Sequence, residues 1–213
     1  MLAIIQAAGW PIYPLILASV ISVALIIERF ITLRDAKIVP PSLLDQVLKV
    51  FESQGVTEDV LNKLAQDSPL GQVLAAGLRN YKGSRYVMKD AIEEAGRAVA
   101  HGLERFLTTL GTIATASPLL GLFGTVIGMI EIFGSQSPGG TNPQQLAHGI
   151  SVALYNTAFG IAISIPSLIF YRHFKNKVEG FVVQMEQAAA KLVDIAHGER
   201  FDFQKPGASP RQG

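Results

Sequence analysis

Two threonines, Thr125 and Thr157, with Asn156 and Ser164, interrupt stretches that are otherwise long, uncharged and apolar. Hydroxyl and carboxamide groups do not titrate near neutrality, but they give and take hydrogen bonds. At membrane depth such groups face a bundle interior, a partner or water, unless the hydroxyl is satisfied on its own helix. The chemistry open to them is therefore to hold water or to steady a charge brought by another chain. No acidic or basic side chain lies in the middle of any apolar stretch, so a proton path would need a carboxylate supplied from outside this chain. Glu131 and His148 stand at the outer ends of two stretches. They are interfacial residues and candidates for an entrance, and His148 could sense pH. Ser117, Ser164 and His148 are the groups an intramembrane enzyme would use. None has a His, Lys or Asp beside it at helical spacing in the membrane, so no enzyme is expected.

The elements that position these residues follow from three uncharged runs, Met1 to Ile27, Phe106 to Ile130 and Gly149 to Tyr171. Each reaches the ~20 residues that a helix needs to span ~30 Å of hydrocarbon. The fold class is therefore an all-α membrane protein with three transmembrane helices, predicted at 11–27, 106–133 and 149–171. The first run lacks a preceding Lys or Arg and a following cleavage site, so it reads as a retained span with Trp10 and Tyr13 as interfacial aromatics, not as a secretory signal. All eighteen Lys and Arg residues lie between Arg29 and Arg105 or between Arg172 and Arg211. The positive-inside rule then places the N-terminus (1–10) and the short connection 134–148 outside, and the segments 28–105 and 172–213 in the cytoplasm. A near-neutral net charge of +1 and high apolar content point toward lipid and away from nucleic acid, and the absence of cysteine excludes disulfides and thiolate chemistry.

The first cytoplasmic segment reads as short helices. Ser42 with Asp45 opens one that Gly55 closes, Thr57 opens a second, and Ser68 with Pro69 opens a third that ends by Gly83. Val87, Ala91, Ala95, Val99, Leu103 and Phe106 recur at helical spacing, which predicts one amphipathic helix running unbroken into the second span. The third span continues likewise through 172–203. Both extend a cytoplasmic helical bundle, and 204–213 is polar, rich in Pro and Gly, and predicted to be disordered.

Projected at 100° per residue, the second span lines up Gly111, Ala114, Pro118, Gly121, Thr125 and Gly128 on one face. Gly124 and Gly128 form a small-xxx-small pair, and the third span offers Ala153, Thr157, Gly160 and Ser164. Spacings of this kind let helices approach closely.

In "SPLGQVLAAGLRN", "TIATASPLLGLFGTVIGMIEIF" and "GISVALYNTAFGIAISIPSLIFYRHF" the chain resembles the ExbB/TolQ/MotA proton-channel family. Its three spans are similar to the ExbB and TolQ branches, ExbB preferred. The resemblance implies a homopentamer in the bacterial inner membrane whose second and third spans line a pore. Within it would sit a dimer of an ExbD- or TolR-like single-span partner bearing an intramembrane Asp, coupled in turn to a TonB- or TolA-like protein. Thr125 and Thr157 match the two family threonines near that Asp, and Pro118 and Pro166 match the intramembrane prolines. No cofactor is implied. Val152 stands where many members carry a Glu, and it reads as an apolar packing residue. A non-conducting scaffold that merely clamps a partner is the rival reading.

Overall fold

The computed structural model describes residues 8–54, 57–134 and 143–198. Gly55, part of the outer connection and the 204–213 tail lie outside the described residues, as do the side chains of His148 and Val152. Every regular element among the described residues is helical: α1 (Ile12–Thr32), α2 (Asp35–Ile38), α3 (Leu43–Gln54), α4 (Glu58–Asp67), α5 (Pro69–Arg79), α6 (Arg85–Glu104), α7 (Leu107–Gly134) and α8 (Pro143–Ala196). Helices α1, α7 and α8 are long and apolar enough to cross a membrane. The protein is an all-α membrane protein with three such spans among the described residues.

The chain divides into two compact units. One holds the residues up to Arg34 with Leu103–Glu179, and the other holds Asp35–Gly102 with the residues from Gly180 onward. In the first, α1 lies against α7. Its outward side carries Leu17, Val20, Val23 and Ile27, while Ile12, Leu15, Ser22 and Arg29 are buried. Trp10 and Tyr13 at its start are exposed. Phe30 near its end meets Phe170 and Phe174 edge-on at 5.5 and 5.0 Å, a geometry that aligns ring edges with ring faces.

In the second unit, Ser68 caps α5 by accepting from the Gly71 amide at 3.1 Å, with Pro69 in the first turn. Thr57 precedes α4 but makes no side-chain cap. Ser42 accepts from the Gln46 side chain. Leu61 and Leu64 of α4 and Leu70, Val73, Leu74 and Leu78 of α5 are buried, and the two helices pack together. Along α6 the predicted Val99 and Leu103 are buried, and the stripe departs at its first position: Met88 is fully buried, whereas Val87 is exposed. Gly77 causes this, because the space its missing side chain leaves is filled by Ile92 and Met88. Farther along, Phe181, Met185, Ala189 and Leu192 of α8 are buried at spacings of three and four. Arg85 bonds Asp194 at 2.7 Å.

The unbroken helix expected to enter the second span is in fact two, with a turn at Arg105 and Phe106. In a continuous α-helix the Leu103 carbonyl would accept from the Leu107 amide. Here it accepts from Nη1 of the buried Arg29 at 2.9 Å. The guanidinium also lies over the Phe106 ring, 5.0 Å from its centroid, and is held in a fork by the Glu28 carboxylate. In the sequence Arg29 marks only the end of a span, since nothing local pairs residue 29 with residue 103. By contrast, α8 runs without a break, although it starts at Pro143 and not at Gly149.

Candidate functional site

Where α7 meets α8 the small residues have a mechanical consequence. A Cβ on Gly121 would come within 2.6 Å of the Asn156 carbonyl, and one on Gly160 would strike the Ser117 carbonyl. The two backbones touch, which only glycine permits. Gly124 faces the Asn156 side chain, Gly128 faces Ala153, and Gly111 faces the Tyr171 ring. Ala114 and Ala153 are buried in the same unit. The stripe thus packs against the third span of the same chain.

At this contact the Thr125 and Thr157 hydroxyls lie 2.6 Å apart. Thr125 Oγ1 also lies 3.2 Å from the Gly121 carbonyl and 3.1 Å from the Ala153 carbonyl. A hydroxyl has one proton to give. When Thr157 donates to Thr125, Thr125 donates to a carbonyl; when Thr125 donates to Thr157, those carbonyls lose their hydroxyl partner. Both side chains are half-buried, so the pair stays accessible from one side.

Asn156 is 1% exposed. Its Nδ2 donates to the Ala8 carbonyl at 2.9 Å, tying the residues before α1 to α8, while its Oδ1 accepts no hydrogen bond among the described residues.

Ser164 is also buried, and its Oγ donates to the Ala114 carbonyl. That carbonyl stands four residues before Pro118, which has no amide to offer it. The hydroxyl thus replaces the helical bond that proline removes. Ser117 Oγ donates to Ile113 on its own helix at 2.7 Å. Of the sequence-selected group, Thr125 and Thr157 meet with Asn156 beside them. Ser164 sits at the proline, Pro166 borders a groove beside α1, and Glu131 is exposed near the end of α7. Two buried partners escaped sequence reading, Ser22 and Ser167, whose hydroxyls bond across α1 and α8 at 2.6 Å. Their signal was a serine in each of two apolar runs, too common to single out.

These features define a multi-pass helical membrane protein whose spans meet through backbone contact around a pair of hydroxyls. The model of the MotA/TolQ/ExbB proton channel family matches residues 65–187, from the end of α4 into α8. The chain is 34% identical over 174 residues to the putative biopolymer transport protein ExbB-like 3 of Synechocystis sp., covering 80% of this chain and 83% of that one. It is 30% identical over 172 residues to the biopolymer transport protein exbB1 of Vibrio cholerae, covering 76% and 74%. To the Tol-Pal system protein TolQ of Pseudomonas aeruginosa it is 30% identical over 203 residues, covering 86% and 84%. The chain belongs to the MotA/TolQ/ExbB proton channel family, in its ExbB/TolQ branch.

Proposed function

We propose that this chain is the ring-forming subunit of an inner-membrane proton channel, a homopentamer around an ExbD- or TolR-like partner whose intramembrane Asp carries the proton. The observation that carries the reading is the Thr125–Thr157 hydroxyl pair at 2.6 Å where the second and third spans meet. An ionised carboxylate is costly against an apolar wall and tolerable beside hydroxyls and water. Protonation would therefore bias where the partner helix sits within the ring. Protons enter from the outer side past Glu131 and His148, neutralise the Asp opposite the threonine pair, and leave to the cytoplasm after the partner moves. The motion passes to a TonB- or TolA-like protein acting at the outer membrane. The charge distribution supports an outer N-terminus and an inner C-terminus.

The test is proton flux through the complex with a co-expressed partner in liposomes, alongside its native mass. Thr125→Val and Thr157→Val are each expected to reduce partner-dependent flux at least tenfold while five-to-two assembly persists. Normal flux in both variants refutes the assignment. A scaffold that only clamps its partner gives flux no higher than empty liposomes.

A further inference from the structure

On α7, the face marked by residues 108, 112, 115, 119, 122, 126, 130 and 133 has two chemistries. Its first part is Thr108, Thr112 and Thr115, all exposed, and the rest is Leu119, Leu122, Val126, Ile130 and Phe133. Thr112 donates to the Thr108 carbonyl at 2.9 Å, and Thr115 lies 3.1 Å from the Gly111 and Thr112 carbonyls. The protons of these two hydroxyls are thus used on the helix, which leaves oxygen lone pairs facing outward as acceptors for water. Self-satisfied threonines can face lipid, so the stripe alone decides nothing.

The second observation is a cleft of about 120 Å³ at the lower end of the same face, lined by Glu104, Leu107, Thr108, Tyr171 and Lys175. It has room for several waters. A carboxylate, an ammonium group, a phenol and a hydroxyl border it, and it opens where the threonine row begins. The row climbs ~10 Å from Thr108 to Thr115, and a further ~15 Å of helix separates Thr115 from Thr125. Leu119 and Leu122 occupy that interval on this face.

Resting on the channel reading above, we propose that Thr108, Thr112 and Thr115 with the Glu104/Tyr171/Lys175 cleft form a hydrated inner vestibule through which protons leave. Leu119 and Leu122 are the dry collar separating it from the Thr125–Thr157 pair. The proton released from the partner's carboxylic acid passes to vestibule water and on to bulk water, leaving the carboxylate behind. The collar forbids a continuous water wire, so the partner helix must carry the proton across it.

The sequence contains no cysteine, so single cysteines report cleanly. In the assembled complex, Thr112→Cys and Thr115→Cys are expected to react with a membrane-impermeant methanethiosulfonate added from the cytoplasmic side, and Leu119→Cys to resist it. Labelling of Thr112→Cys and Thr115→Cys by a lipid-soluble maleimide alone overturns the vestibule. In flux assays the triple variant T108V/T112V/T115V is expected to lose at least tenfold, with recovery in T108S/T112S/T115S. Unchanged flux in the triple valine variant, where Thr125→Val lowers it at least tenfold, overturns this inference and leaves the channel reading standing. Absence of partner-dependent flux in the unmodified complex brings both down.

Discussion

Ser164 shows how a residue's role is set by a partner far away in sequence. Its hydroxyl occupies the carbonyl of Ala114 that Pro118 leaves open, so it acts as a patch on a proline-interrupted helix. Leaving a buried carbonyl unpaired costs about 1–3 kcal/mol. Ser164→Ala should destabilise the detergent-purified chain by that amount, read as a lower thermal midpoint. Pro118→Ala in the same background should restore most of it, because residue 118 regains an amide for Ala114. A double-mutant cycle checks this, and additive losses would contradict the pairing. Thr125 and Thr157 were legible in the sequence as polar groups at membrane depth, and their 2.6 Å contact was not. Thr125 does reach the Gly121 carbonyl of its own helix, and only the register between α7 and α8 adds Thr157 to it.

Between elements, the decisive contacts are backbone on backbone and arginine on backbone. Glycines at 121 and 160 let α7 and α8 touch. A methyl group at either position meets main chain, which cannot swing aside. Gly121→Ala and Gly160→Ala should separate the helices, weaken the hydroxyl pair and destabilise by roughly 1–3 kcal/mol, the range for overpacking. Melting in detergent measures the loss, and midpoints equal to the unmodified chain's would refute the close contact. Arg29 makes the other junction by holding the Leu103 carbonyl. In Arg29→Met that carbonyl is free to take the Leu107 amide, so α6 and α7 should fuse across the turn. Hydrogen exchange at Leu107 should then slow at least tenfold; equal or faster exchange would mean that the turn has another cause. The amphipathic period of α6 was readable and put Val99 and Leu103 on the buried side, but its first turn depended on Gly77 admitting Met88 and Ile92, a contact between helices that no local pattern encodes.

At the scale of the molecule, the distribution of Lys and Arg argues for three crossings with one orientation. Single cysteines test it: Gly134→Cys should react with an impermeant thiol reagent on intact cells, and Gln187→Cys only after permeabilisation. The reverse pattern would invert the topology and the direction of the proposed flux. Composition and hydropathy alone settled the fold class, because a helix is the cheapest way to satisfy backbone hydrogen bonds in hydrocarbon and ~20 apolar residues suffice to signal it. The ordered glycines, prolines and threonines of the second and third spans were specific enough to point to the family that the comparison then established. Tertiary structure alone decided which small residues carry backbone contact, which hydroxyls meet, where Arg29 interrupts a helix and that a polar cleft opens below the threonine row. All four depend on the register between segments distant in sequence. Periodicity within one segment fixes a face, and it leaves open what that face will touch.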